Sequence, residues 1–201
     1  MKTFFLLSVV ALLPVILSAL IYLAERTKAV RKLPYAVRQL IIGILFGGLA
    51  ILGTEFGVKT DGAVINARDA SPICAGLLFG APAGIIAGII GGVERWFAVL
   101  WGAGQYTRLA CSISTVLAGL FAAGLRKFMF DNKKPKWYYC LAAATITEVI
   151  HMLMIFLTNM TDARTAFSFV RTCSFPMIAV NSLAVMFAGL LLSILSGAYR
   201  K

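Results

Sequence analysis

The sequence predicts an all-α membrane protein: a polytopic helical bundle of six to seven elements, with a short discontinuous helix pair in the middle. Composition is the first reason, because 60% of the 201 residues are hydrophobic, only 13% are charged and the mean hydropathy is +0.89. Soluble globular domains do not have this composition. The second reason is that apolar runs of about 20 residues, the length of a membrane span, recur along the chain. The third is that Lys and Arg cluster at alternate connections, so the net charge of +11 indicates cytoplasmic loops and not nucleic-acid binding.

The first two spans are expected at residues 3–24 and 39–56. The first is too long for the apolar core of a signal peptide, and charged residues follow it in place of a cleavage site, so we expect an uncleaved span. The loop at 25–38 has five basic residues against Glu25 alone and should be cytoplasmic, which places the N-terminus outside. No room remains for a soluble domain, so residues 1–201 are expected to form a single transmembrane domain.

The stretch at 66–95 is apolar but has charged residues at both ends. Pro72 and Pro82 divide it into pieces too short to cross a bilayer comfortably, and such pieces are tolerated only where protein or water satisfies the freed backbone groups. Arg68 opens the stretch and Arg95 closes it. Two arginines flanking a broken helix pair indicate a site for an anion.

Two short elements are expected within this stretch, at 69–80 and 85–101, joined by a turn at 81–84. Full crossing and a re-entrant hairpin both fit, and either returns the chain to the outer side. Glycines recur at every fourth position, which predicts a helix face that a second helix can approach closely: Gly80, Gly84, Gly88 and Gly92.

The second half of the chain predicts three more spans. A span at 107–125 leads to the basic loop 126–137, which should be cytoplasmic, and a span at 139–159 returns to the outer side. An outer loop is expected at 160–174 and the last span at 175–195. The C-terminus is then cytoplasmic.

Ionisable residues at membrane depth need a partner or a function, because each costs at least about 2.5 kcal/mol on insertion scales. Salt bridges between helices and functional roles remain alternatives for each of them. The structural alternative is favoured for Asp69, Glu94 and Arg108, which lie near predicted helix ends and can reach the membrane surface.

Thr107, Cys111 and Ser114 follow one another at i, i+4 and i+7 in the fifth predicted element and so share a helix face. Two hydroxyls and a thiol near two arginines predict the lining of a pocket, although Ser and Thr in membrane helices often bond only to their own backbone. Glu148 and His151 share a face at i, i+3, and we interpret them as a structural or proton-linked pair. No metal site, cofactor or catalytic residue is predicted, because His151 is the only histidine and no motif places a nucleophile beside a base.

Several motifs in this order resemble the LytS/YhcK-type multi-pass sensor domain of bacteria. They are NAR at 66–68, AGLLFGAPAG at 75–84, GGVER at 91–95 and TRLACSIST at 107–115, followed by Glu148 with His151-Met152 and by Pro176-Met177 with Asn181-Ser182. The sequence departs from the family pattern at His151, where Gln is common.

The resemblance implies a sensory module that precedes a histidine kinase, a cyclic-di-GMP synthase or another cytoplasmic output domain, which would be absent from residues 1–201. Members linked to pyruvate sensing use two arginines, a cysteine and a serine, which by motif fall on Arg68, Arg95, Cys111 and Ser114. A secondary polar cluster is predicted to comprise Asn66, Thr107, Glu148, His151 and Asn181.

We therefore expect a non-catalytic, membrane-embedded sensing domain that binds a small, pyruvate-like carboxylate and relays a conformational signal to a cytoplasmic output module. The alternative is the substrate-binding subunit of an energy-coupling-factor-like solute transporter. The expected partners are the carboxylate, the lipid bilayer of the bacterial cell membrane and an output domain or signalling protein. A homodimer is a further candidate, and nucleic acid is not an expected partner.

Overall fold

A computed structural model describes residues 2–60, 63–102 and 104–197. Asp61 and residues 198–201, at the C-terminus that is expected to be cytoplasmic, lie outside these ranges. Within them the chain forms an all-α bundle containing six helices long and apolar enough to cross a membrane, which confirms the predicted fold class.

The bundle is built from eight α-helices and one short hairpin of two antiparallel strands in the described part of the chain. The elements are α1 (Lys2–Ala24), α2 (Lys28–Arg31), α3 (Tyr35–Glu55), β1 (Val58–Thr60), β2 (Ala63–Ile65), α4 (Ala70–Cys74), α5 (Ala81–Phe97), α6 (Arg108–Gly124), α7 (Trp137–Thr158) and α8 (Ala163–Leu195). A π-helical turn, Ala75–Phe79, extends α4, and another, Leu125–Met129, extends α6. We call the end of the bundle with the β1–β2 hairpin the hairpin end, and the end with the loops at 25–34 and 130–136 the basic end.

Large apolar side chains cover the outside of the long helices. Leu20 on α1, Leu153 on α7 and Ile194 on α8 are each more than half exposed. In water such a surface would drive aggregation, whereas lipid chains are as apolar as these side chains. Inside the bundle α5 packs between α3 and α6, and α8 packs against α7 and α1.

Small residues allow α5 to approach its neighbours closely. A Cβ added at Gly84 would lie 2.5 Å from the Cα of Gly76, and one added at Gly92 would lie 2.8 Å from the carbonyl oxygen of Ser112 on α6. The predicted glycine face is therefore a real contact surface from Gly84 onward. Gly80 was wrongly included: it lies in the break before α5, where its φ is +154°.

The predicted central pair is a half-helix, α4 with its π-turn, followed directly by the longer α5. The turn is at Gly80 and not at 81–84, because Pro82 occupies the first turn of α5, where its missing N–H is harmless. Side chains from two neighbours satisfy the backbone groups freed by the break. Gln39 of α3 donates to the Phe79 carbonyl (3.1 Å) and accepts from the Ala83 N–H (3.2 Å), and Arg126 donates to the Leu77 carbonyl.

The predicted helix boundaries agree best with the structure where an apolar run ends at charged residues. The expected outer loop at 160–174 is wrong, because α8 begins at Ala163 and continues through Pro176 to Leu195. Asp162 caps the start of α8 by accepting from the Thr165 N–H (3.2 Å), and this cap is the local reason for the earlier start. The first turns of α8 are thus a helical extension beyond a single span.

Candidate functional site

The candidate site lies at the start of α4, close to the hairpin end of the bundle. Asn181 of α8 holds the chain there, because its side-chain oxygen accepts from the Ala70 N–H (2.8 Å) and its amide donates to the Asn66 carbonyl (3.1 Å). The backbone of Arg68 lies against Gly53 of α3, where an added Cβ would be 2.7 Å from the Arg68 Cα. Two helices, α8 and α3, therefore fix the position of residues 66–70.

Arg68 and Asp69 form a fully buried ion pair. The Arg68 Nε lies 3.3 Å from Asp69 Oδ1 and donates to Thr115 Oγ1 at 2.6 Å, and the Thr115 hydroxyl donates to the same Asp69 oxygen at 2.7 Å. All three side chains are inaccessible to solvent. The two charges thus have the partners that burial in a low-dielectric setting requires.

His151 connects this pair to α6. Its Nδ1 lies 2.7 Å from Asp69 Oδ2, and its Nε2 lies 3.3 Å from the Cys111 sulfur. The side chains therefore stand in the order thiol, imidazole, carboxylate, which is the order in which a nucleophile is paired with an oriented base. No sequence motif indicates this pairing, because Cys111 and His151 come from different helices.

Glu148 is buried one turn from His151, and neither of its carboxylate oxygens has a hydrogen-bond partner among the described residues. One of these oxygens lies within 4.8 Å of ligand atoms of both Asp69 and His151. Three such groups could in principle hold a metal ion. Here the Arg68 guanidinium already neutralises Asp69 and both His151 nitrogens have partners, so a cation would have to displace existing contacts.

Arg95 and Arg68 line the same small cavity, of about 70 Å³, at the hairpin end. Arg95 Nη2 donates to the Gly104 carbonyl (2.8 Å) and lies 3.4 Å from Thr107 Oγ1. Its other terminal nitrogen, Nη1, is buried and unpaired within the part of the chain that the structure describes. Thr54, Glu55, Val64, Asn66, Ala98, Trp101 and Gly102 complete the cavity wall.

Ser114 does not line this cavity. It lies on an apolar groove of about 710 Å³ between α6 and α7, together with Leu117, Phe121 and Thr147. Its hydroxyl is buried and has no partner in the described ranges. The helix face predicted from residues 107, 111 and 114 thus contacts two different surroundings. Cys111 lies beside Arg68 and His151, whereas Ser114 lies on the apolar groove.

The sequence does not predict the roles of two residues of the site, Asp69 and Thr115. Asp69 forms a salt bridge, as the structural alternative predicts. Its expected position near the membrane surface is wrong, because Asp69 is fully buried and contacts Arg68, Thr115 and His151. Thr115 was overlooked, although it follows Cys111 by four residues and so shares its face. Arg108 forms no salt bridge with a described residue; its guanidinium lies over the Trp96 ring (4.0 Å) and donates to the Trp96 carbonyl (2.8 Å).

A membrane bundle with a buried, charged polar site beside a small cavity has the construction of a multi-pass membrane receptor domain. The family model described as 5TMR of 5TMR-LYT matches residues 21–195, and the chain belongs to this family of transmembrane sensor domains. The resemblance drawn from the sequence motifs is thereby confirmed.

The curated relatives that the chain matches are also sensor proteins. The chain is 26% identical over 188 residues to the sensor histidine kinase YpdA of Escherichia coli K12, covering 93% of this chain and 32% of that protein. It is 29% identical over 153 residues to the E. coli K12 sensor histidine kinase BtsS, covering 74% and 26%. It is 31% identical over 147 residues to the sensor protein LytS of Bacillus cereus, covering 70% and 23%. No solved structure matches the chain.

The chain therefore spans about a third or less of the length of these relatives. It corresponds to their sensing region, which is not itself catalytic, and the kinase lies in the part of the relatives outside the match. These matches favour a membrane sensor and give no support to the transporter-subunit alternative.

Proposed function

We propose that this domain binds a small carboxylate of the pyruvate type in the cavity between Arg68 and Arg95 and relays its binding to a cytoplasmic output module. The observation that carries the proposal is the free Nη1 of Arg95, a buried cationic donor on the wall of a cavity. A buried donor of this kind costs about 1–3 kcal/mol when it is left unpaired. An anion in the cavity would supply the missing acceptor.

The size and charge of the cavity support a small anionic ligand. Cavities for drug-sized molecules enclose hundreds of Å³, whereas this one encloses about 70 Å³. Arg68 already has Asp69 as its counter-ion, but Arg95 forms no ion pair with any described residue. The wall has two guanidinium groups and one carboxylate, that of Glu55, which already accepts from Trp101 Nε1 (2.7 Å). The unpaired Arg95 guanidinium can therefore hold one ligand carboxylate through two parallel hydrogen bonds.

The path of the signal is supported by the contacts of Asn181. This residue joins the backbone on both sides of Arg68 to α8, the last described helix of the chain. A ligand that moves Arg68 or the start of α4 would act directly on α8, and through it on whatever follows. The physical requirement is that the ligand binds two arrangements of this joint with different affinity.

Calorimetry with pyruvate on the protein in lipid nanodiscs tests the ligand proposal. Arg95→Lys keeps the charge but loses the bidentate geometry, so pyruvate should bind at least about tenfold more weakly, or ~1.4 kcal/mol. Arg108→Lys is the matched control, because Arg108 lies near the same end of the bundle but stacks on Trp96 and does not line the cavity. The affinity of the Arg108→Lys variant for pyruvate should be unchanged.

Arg68→Lys should also weaken binding, with an added loss of stability because Arg68 holds Asp69 and Thr115. Pyruvamide, which lacks the charge, should not compete. Wild-type affinity in both the Arg68→Lys and Arg95→Lys variants would mean that the arginines are structural and that the ligand site lies elsewhere.

A further inference from the structure

The side chains of Cys111, His151 and Asp69 form a row of contacts. Binding of a carboxylate alone does not require this row. We propose that Cys111 forms a reversible covalent bond with the ketone carbon of a 2-oxo acid, with His151 as the acid–base partner of the sulfur. This inference rests on the proposed function, because the arginine cavity delivers the ligand. It goes further in assigning a covalent bond to the ligand and the two side chains that form and break it.

The geometry of the row is that of an activated thiol. His151 Nε2 lies 3.3 Å from the Cys111 sulfur, close enough to exchange a proton with it. The other ring nitrogen is held by Asp69 Oδ2 at 2.7 Å, which fixes the orientation of the imidazole. Asp69 is itself held by Arg68 and Thr115, so the row is rigid from end to end.

The row adjoins the ligand cavity through the two arginines. Arg68 Nη2 donates to the backbone carbonyl of Cys111 (3.5 Å), and the sulfur interacts electrostatically with the guanidinium groups of both Arg68 and Arg95. Cys111 does not itself line the cavity. Because the sulfur lies near both guanidinium groups, a carboxylate held between them would lie near the sulfur.

The unpaired Nη1 of Arg95 is an independent sign of a ligand at this place. This nitrogen is buried, and Arg95 as a whole is only 3% exposed. A 2-oxo acid offers two kinds of acceptor to such a donor, the carboxylate and the ketone oxygen. Once the sulfur adds, the former ketone oxygen carries negative charge, and guanidinium groups stabilise an oxyanion more strongly than a neutral carbonyl.

The step balances without an oxidant or a cofactor. The Cys111 proton passes to His151 Nε2, and the sulfur electron pair forms a C–S bond to the ketone carbon. The π electrons of the C=O bond move to oxygen, which then takes the proton back from His151. The product is a neutral hemithioketal beside an intact carboxylate, and the reverse sequence releases the ligand unchanged. The bond draws the sulfur away from His151, which alters the contact between α6 and α7.

Nuclear magnetic resonance with pyruvate labelled with carbon-13 at C2 tests the inference, using the protein in lipid nanodiscs. Bound pyruvate should give a signal in the tetrahedral carbon region and not in the ketone region. Cys111→Ser should abolish that signal. Cys173→Ser is the matched control, because Cys173 is also a fully buried free thiol but packs in an apolar cluster with Met152 and Met177.

Affinities measured in parallel separate this inference from the proposed function. Wild-type protein should prefer pyruvate over L-lactate, which has the carboxylate but no ketone, by at least about tenfold. The preference should fall to about twofold or less in Cys111→Ser, and His151→Gln should weaken the tetrahedral signal while lactate still binds.

Each outcome decides between the two ideas. Binding of pyruvate with the label remaining in the ketone region overturns the covalent bond and leaves the carboxylate site intact. A tetrahedral signal that persists in Cys111→Ser assigns it to hydrated pyruvate and also overturns the inference. Absence of any saturable binding of pyruvate or lactate overturns both proposals.

Discussion

The carboxylate of Asp69 and the imidazole of His151 lie 2.7 Å apart although 82 residues separate them in the chain. The contact joins the start of the broken helix to the middle of α7. Removing one partner from a fully buried charged network leaves the other uncompensated, which is strongly destabilising. This pair should therefore be a main determinant of the stability of the hairpin end.

The first prediction is that Asp69→Asn lowers the free energy of unfolding by about 3 kcal/mol. The reason is that Arg68 loses its counter-ion, and that one of the two oxygens facing Thr115 and His151 becomes an NH2 group, which cannot accept a hydrogen bond. The measurement is unfolding in mild detergent titrated with dodecyl sulfate. Asp131→Asn is the control, since Asp131 is exposed and its φ of +47° suits asparagine. Equal stability of the two variants would contradict a structural role for the pair.

The second prediction concerns Glu148, whose oxygens have no partner among the residues described. Glu148→Gln removes a carboxylate that the fold leaves unsatisfied, so stability should be unchanged or higher in the same titration. Pyruvate affinity should stay within about twofold. Glu25→Gln at the basic end controls for the loss of one carboxylate elsewhere. A collapse of affinity with an intact fold would place Glu148 in the ligand site.

The outline of the fold could be predicted from the sequence because the lipid bilayer requires apolar helices of a minimum length. Apolar runs of sufficient length, ended by charge, placed the long helices to within a few residues at α3, α6 and α7. Arg68 and Arg95, which the sequence places at the two ends of the central stretch, line one cavity. The start of α8 was not predicted, because hydropathy does not distinguish a polar, capped helix extension from a loop.

The partners within the site could not be predicted in the same way. Hydropathy carries no information about how each helix is rotated, so it could not show that Thr115 faces Asp69 while Ser114 faces a groove beside α7. The pairing of Cys111 with His151 depends on the packing of α6 against α7. Only the three-dimensional arrangement shows that the site has an acid, a base and a thiol in one row.

The third prediction tests the helix break. Gln39→Ala removes both the donor to the Phe79 carbonyl and the acceptor for the Ala83 N–H, so two buried backbone groups lose their partner. The free energy of unfolding should fall by about 2 kcal/mol. Gln105→Ala is the control, because Gln105 is exposed in the link before α6. No difference between the variants would mean that water or lipid headgroups replace Gln39 without cost.

The fourth prediction uses two glycines of one helix. A Cβ at Gly119 would meet the carbonyl oxygen of Gly84 on α5, whereas one at Gly124 would meet nothing within 4 Å. Gly119→Ala should therefore separate α5 from α6 and destabilise the bundle by about 1–3 kcal/mol. Gly124→Ala should be neutral or slightly stabilising, because alanine favours the helix. Equal effects in the dodecyl sulfate titration would show that α5 and α6 are not tightly packed.

The last prediction concerns orientation in the membrane. The loops at 25–38 and 126–137 hold most of the Lys and Arg between spans, and such loops remain on the cytoplasmic side. An impermeant maleimide added to intact cells should therefore label a cysteine at position 162 and fail to label one at position 32 or 134 until the cells are permeabilised. All three sites are exposed, whereas the four native cysteines are buried and give a low background. Labelling at 32 and 134 but not at 162 would show that the domain has the opposite orientation. The arginine cavity at the hairpin end would then open to the cytoplasm and sense an internal metabolite.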